Sequence, residues 1–159
     1  MTDRLTTITD VQDALDGERT AMVTTIDERG TLSSRPVTVQ KIDDDGEVWF
    51  VVDSAAEWVA PADGAAVNVA VVDDGDVWVS FAGRASVIHD RGVVEELSGP
   101  VSDAFFSSDA EPAALRVVTD RIEWWTPAGT MAQLVQVGKG LLSDERPDLG
   151  EQGTIEVGS

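Results

Sequence analysis

The feature that most constrains this chain is its punctuation: apolar, β-branched runs separated by short acidic turns that end in glycine. Thr20–Ile26 leads into Asp27-Glu28-Arg29-Gly30. The run 31–42, interrupted by Pro36, leads into Asp43-Asp44-Asp45-Gly46 and then into 47–52. The run 65–72 leads through Asp73-Asp74-Gly75 into Val77–Ile88. Acidic residues followed by glycine are hairpin chemistry, because Asp bonds its own backbone and glycine accepts a positive φ. A last strand is expected over 114–125, bent at Thr119-Asp120. Five to six strands joined by hairpins point to a mainly β, α+β fold, an antiparallel barrel rather than a doubly wound sheet. Closing the barrel removes strand edges that would otherwise pair with other chains.

Helices fill the gaps between these runs. Thr9 and Gln12 have capping-box spacing, which predicts a first helix over 9–17. A short helix is expected over 55–60, ended by Pro61, and another over 91–97, stopped by Gly99-Pro100. One helical turn is expected at 103–106. Met131, Leu134, Val135 and Val137 have helical spacing over 131–142, weakened by Gly138 and Gly140. The expected organisation is one barrel domain over 1–142 and a polar C-terminal tail over 143–159. That tail is read as lying along the surface, with a short apolar patch at Ile155 and Val157.

Composition narrows the function classes. A length of 159 residues fits one domain, and 42% apolar residues suffice for a core. Cysteine is absent, which excludes disulfides, thiolate metal sites and cysteine catalysis. No leader-like apolar segment opens the chain and no run approaches a bilayer span, so a soluble cytoplasmic protein is expected. Thirty acids against eleven bases give a net charge of −19. Such a field repels nucleic acid and anionic membranes, as on solvated surfaces in a salty cytoplasm.

The catalytic inventory is thin. His89 is the single histidine, so no His-rich metal site can form, and no Gly-x-Ser-x-Gly elbow supports a triad. Walker and Gly-x-Gly-x-x-Gly motifs are absent, and so is tyrosine. The acid clusters at 43–45 and 73–76 lack calcium-loop spacing and read as solvated hairpin tips. A chain so short of acid/base groups is either not an enzyme or borrows its chemistry from a cofactor.

Ser34-Arg35-Pro36-Val37 with Gln40, Val48-Trp49-Phe50-Val51-Val52-Asp53, Val79-Ser80-Phe81-Ala82-Gly83-Arg84-Ala85 and Ile122-Glu123-Trp124-Trp125-Thr126-Pro127 stand in a telling order. Together they resemble the general stress protein 26 branch of the pyridoxamine 5'-phosphate oxidase-like split barrels. The resemblance implies a six-stranded antiparallel split barrel with peripheral helices. It also implies a homodimer, FMN at the dimer interface, and flavin oxidoreductase chemistry. By the same resemblance Arg35 would approach the flavin's polar tail, where its planar fork suits phosphate. Pro36, Val37 and Gln40 would lie beside the ring, Phe50 and Val51 would line it with backbone, and Trp124 or Trp125 would approach the partner's cofactor.

One part of the pattern departs. The family's phosphate-binding Thr, Ser and Lys correspond here to Val52, Ala56 and Trp58, with Glu57 between the last two. The alternative is therefore a non-enzymatic dimer that has lost FMN, or one that binds another planar ligand such as a deazaflavin or a heme. Arg35 reads equally as a surface ion-pair residue, and Trp49, Phe50 and Trp78 as core or interface. Trp124 and Trp125 are adjacent in a strand and should face opposite sides.

Overall fold

In the computed structural model, residues 5–17, 20–73, 77–98, 110–126 and 151–157 are described. The expected turn at 103–106 and helix at 131–142 lie outside them.

The chain runs α1 (Ile8–Ala14), β1 (Thr20–Ile26), β2 (Leu32–Ile42), β3 (Val48–Asp53), α2 (Val59–Ala62), β4 (Ala66–Asp73), β5 (Val77–Ile88), α3 (Arg91–Ser98), β6 (Pro112–Thr126) and β7 (Glu151–Glu156). The sheet order is β3-β2-β1-β4-β5-β6-β7, and β6 also pairs with β3. Every pairing between these strands is antiparallel, so the first six close into the expected barrel.

Strand β6 makes closure possible through its length. Its first half, to Val117, carries β3 on one edge, and its second half, from Arg121, carries β7 on that edge. The expected bend at Thr119-Asp120 is a bulge within one continuous strand, where the register against β5 shifts between Ala82 and Gly83. A Cβ on Gly83 would run into the Val118 carbonyl, so the close approach there depends on glycine.

Burial alternates along β1, β3 and β5, as a two-residue period requires. Phe50, Phe81, Leu115, Ile122 and Trp124 are the largest fully buried side chains. Each contributes about 2 kcal/mol through apolar area removed from water. Trp124 lies against β7, where a Cβ on Gly153 would sit 2.7 Å from the indole.

Three local expectations are corrected. The α1 cap is Thr7, not Thr9: Thr7 Oγ1 accepts from the Asp10 amide at 3.1 Å, and the Asp10 carboxylate accepts in turn from the Thr7 amide at 2.9 Å. The Thr7–Asp10 spacing equals that of Thr9 and Gln12, and a carboxylate also favours the positive end of the helix. Gln12 instead donates to the Ile42 carbonyl at 2.9 Å, tying α1 to β2. The helix near 55–60 begins at Val59 and contains Pro61, which fits there because first-turn amides have no intrahelical acceptor. The tail is not wholly a surface segment: β7 pairs with β6, and Ile155 and Val157 pack against the core.

Candidate functional site

The barrel has a seam. Strands β2 and β3 pair only as Val39↔Phe50, Lys41↔Trp49 and Ile42↔Val48, with a register shift between Val39 and Lys41. Beyond Val39 the ladder ends, although β2 remains paired with β1 down to Leu32. The segment that follows β3 meets β2 there. Residues of the β1–β2 hairpin, among them Thr25, Arg29, Ser33 and Arg35, and residues of that segment, Glu57, Trp58 and Pro61, line a cleft of about 470 Å³.

Arg35 occupies the cleft's inner wall. Its guanidinium carbon stands 4.6 Å from the centre of the Trp58 ring. Its Nη1 donates to Thr25 Oγ1 at 2.9 Å and to the Val23 carbonyl at 3.3 Å. Among the described residues no carboxylate lies within ion-pair distance of it. Burial draws its pKa down from the ordinary arginine value. Asp27 also borders the cleft, but its carboxylate accepts from the Arg29 and Thr31 amides, both at 2.8 Å, and so holds its own turn.

A second arginine–tryptophan pair lies where β2 and β3 remain zipped. Arg116 makes two bonds of 2.7 Å to Glu47, and its guanidinium lies 5.5 Å from the Trp49 ring centre. Lys41 stands 5.7 Å from the same ring, and the indole Nε1 donates to Asp43 at 2.9 Å. The bonds that Arg116 donates to Glu47 raise its pKa. At Asp43, burial opposes ionisation but is outweighed by bonds from Trp49 and the Glu47 and Asp45 amides, so its pKa is lowered.

The structure brings only some of the expected site residues together. Arg35 and Trp58 meet in the cleft. Pro36 faces outward opposite Met22, and Trp125 faces outward opposite Trp78. Val37 packs on the core, and Phe50 and Val52 are buried in it, so their side chains are core residues. Val51 is half-buried and pairs with Ala114. Gln40 lies at the β2 register shift, in a separate groove of about 250 Å³. Ala56 packs against the core. His89 is exposed, and no group of residues able to hold a metal ion exists among the described residues.

Thr25, Arg29, Ser33 and Pro61 were missed as cleft residues. A signal for two of them existed. A hairpin turning at 27–30 sets Thr25 opposite Ser33 and Val23 opposite Arg35, which puts both hydroxyl residues on the strand face that carries Arg35.

The cleft's chemistry can be tested against FMN. Trp58, Pro61 and Ile26 offer an apolar wall suited to a planar ring. The dianionic phosphate fits poorly, because Asp27, Glu28 and Glu57 outnumber Arg29 and Arg35 in the lining.

The family profile described as pyridoxamine 5'-phosphate oxidase like matches residues 6–148. No curated protein matches the chain. A crystal structure of a candidate general stress protein 26 from Jannaschia sp. CCS1 is 28% identical, with a TM-score of 0.62, over 91% of this chain and 94% of that one. The general stress FMN/FAD binding protein of Xanthomonas citri is 27% identical, with a TM-score of 0.64, over 76% of this chain and 88% of that one. A heme binding protein from Mycobacterium smegmatis, 14% identical with a TM-score of 0.59 over 77% of this chain and 55% of that one, shares the fold alone.

Proposed function

The chain belongs to the pyridoxamine 5'-phosphate oxidase like family, and on that premise we propose that it is a flavin-binding split-barrel homodimer of the oxidoreductase type. The observation that carries the reading is the seam cleft, in which a guanidinium without an ion-pair partner among the described residues faces an aromatic and apolar wall. The likeness to the FMN/FAD binding protein of Xanthomonas citri supports it. A bound flavin would supply hydride transfer through its own ring. The chain's residues would do the rest. Trp58 and Pro61 flank the planar group, Arg35 offers its remaining N–H donors to the polar tail, and the barrel wall behind Arg35 keeps water from one side.

The outer sheet face supports a second copy as partner. Met22, Ile26, Leu32, Val72, Trp78, Val118 and Trp125 are exposed there, and Val72, Trp78 and Trp125 are neighbours in register. Between them the polar groups satisfy one another: Thr24 shares a hydrogen bond with Ser34 at 2.6 Å, and Asn68 donates to Ser80 at 2.8 Å. A face that is apolar and internally satisfied can be buried at little polar cost. Light scattering is expected to give twice the chain mass at micromolar concentration. A monomer there would remove the partner from the proposal.

Absorbance of freshly purified protein tests the flavin. Flavin bands in the blue, or quenching of added flavin fluorescence, are expected. A colourless protein that quenches neither FMN nor riboflavin would sink this reading. It would favour the second one, a non-enzymatic dimer or a binder of another planar ligand such as a deazaflavin or a heme. The observation behind that second reading is that Trp58 and Glu57, rather than added cations, stand in the cleft beside Arg35.

A further inference from the structure

We propose that the seam cleft selects flavins with an uncharged tail over phosphorylated ones, riboflavin over FMN, and that the Arg35–Trp58 stack with Glu57 is the selecting element. The inference rests on the flavin-binding reading above and goes beyond it by naming the class of tail.

A phosphate monoester needs cations or several free N–H donors. The cleft has N–H donors on its arginines but no surplus of cations over its own acids. Three acids, Asp27, Glu28 and Glu57, share the lining with two arginines, Arg29 and Arg35. Arg35 is committed in part: its flat face lies on Trp58 at 4.6 Å, and its Nη1 serves Thr25 and the Val23 carbonyl, which leaves Nε and Nη2 for a ligand. The Thr25 hydroxyl is engaged by the same bond. The helix beside the cleft, α2, has four residues and carries Pro61, which has no N–H, in its first turn. Its N-terminus is therefore no anion cradle.

The acids that repel a dianion suit a polyol. A ribityl chain carries hydroxyl donors, and the exposed Glu57 and Glu28 side chains carry acceptor oxygens. The net charge of −19 adds a general penalty for a dianion, which salt reduces.

The test is a parallel fluorescence-quenching titration of the full chain with riboflavin and with FMN at one ionic strength. Riboflavin is expected to bind at least about tenfold more tightly, the scale of one lost charged contact. Glu57→Gln removes a charge without touching the stack and is expected to tighten FMN about threefold and to weaken riboflavin slightly, so that the preference between the two tails narrows. Trp58→Lys supplies a cation where the indole stood and is expected to reverse the order. Because Trp58→Lys disturbs packing, Glu57→Gln carries the test if that variant does not fold. FMN binding as tightly as riboflavin in the unaltered chain would overturn the selectivity and leave the flavin reading standing. A tail preference that Glu57→Gln does not move would overturn the assignment to this cleft. Binding of neither flavin would overturn both.

Discussion

Among the described residues an arginine lies over a tryptophan twice, at opposite ends of β2, and the two pairs differ in what closes them. At the zipped end, Arg116 lies over Trp49 and is held by Glu47 through two bonds of 2.7 Å. At the open end, Arg35 lies closer over Trp58, yet among the described residues its bonds go to a hydroxyl and a carbonyl. The first pair is satisfied by charge and belongs to the barrel wall. The second is satisfied by neutral groups and leaves its charge facing a cleft. The same two residue types thus make a fastener in one place and a ligand-facing surface in the other. The carboxylate decides which.

The largest expected effect tests the fastener. Arg116→Met should cost about 2–3 kcal/mol, because it leaves the nearly enclosed Glu47 carboxylate without its partner. A urea unfolding midpoint at fixed salt measures it. Asp43→Asn should cost less, about 1 kcal/mol, since an amide still offers one acceptor to the three donors that Asp43 now serves. Arg35→Met should cost under about 1 kcal/mol of stability, the size of a half-exposed cation–π pair. It should nevertheless abolish flavin quenching under the proposed function. An Arg35→Met loss as large as that of Arg116→Met would erase the distinction between the two ends.

Acid titration gives the smallest effect. The Asp43 carboxylate is more acidic in the folded chain than its ordinary value of 3.8. Its contribution is therefore complete above that value and is lost as pH falls through the lower folded value. Stability of the unaltered chain should approach that of Asp43→Asn over this window. Curves that stay parallel down to the acid limit would show that Asp43 does not titrate as the geometry requires.

Much of the barrel was legible because its causes are local. Thr20–Ile26 and Val77–Ile88 have the bounds that their patterns predict, and the turns at 27–30 and 43–46 place glycines at positive φ, +80° and +79°. The α1 cap was misplaced because two capping-box pairs overlap there and only one fits the way the chain enters. Arg35 and Trp58 were both expected beside a bound ligand, Trp58 in place of the family's cation, and the structure brings the two together. Nothing local in the sequence shows that the two touch.

The amino-acid sequence by itself determined the strands, their turns and which residues alternate toward the core, because periodicity and turn chemistry act over a few residues. The tertiary structure alone decided that the ladder between β2 and β3 stops at Val39 and Phe50, so that Trp58 swings onto Arg35 in the gap. It also decided that the chain's end adds a seventh strand to the half of β6 that β3 leaves open. The physical reason is shared. Both depend on which backbone edge is left unpaired once a barrel has closed, and an edge's vacancy belongs to the assembled sheet rather than to any one strand.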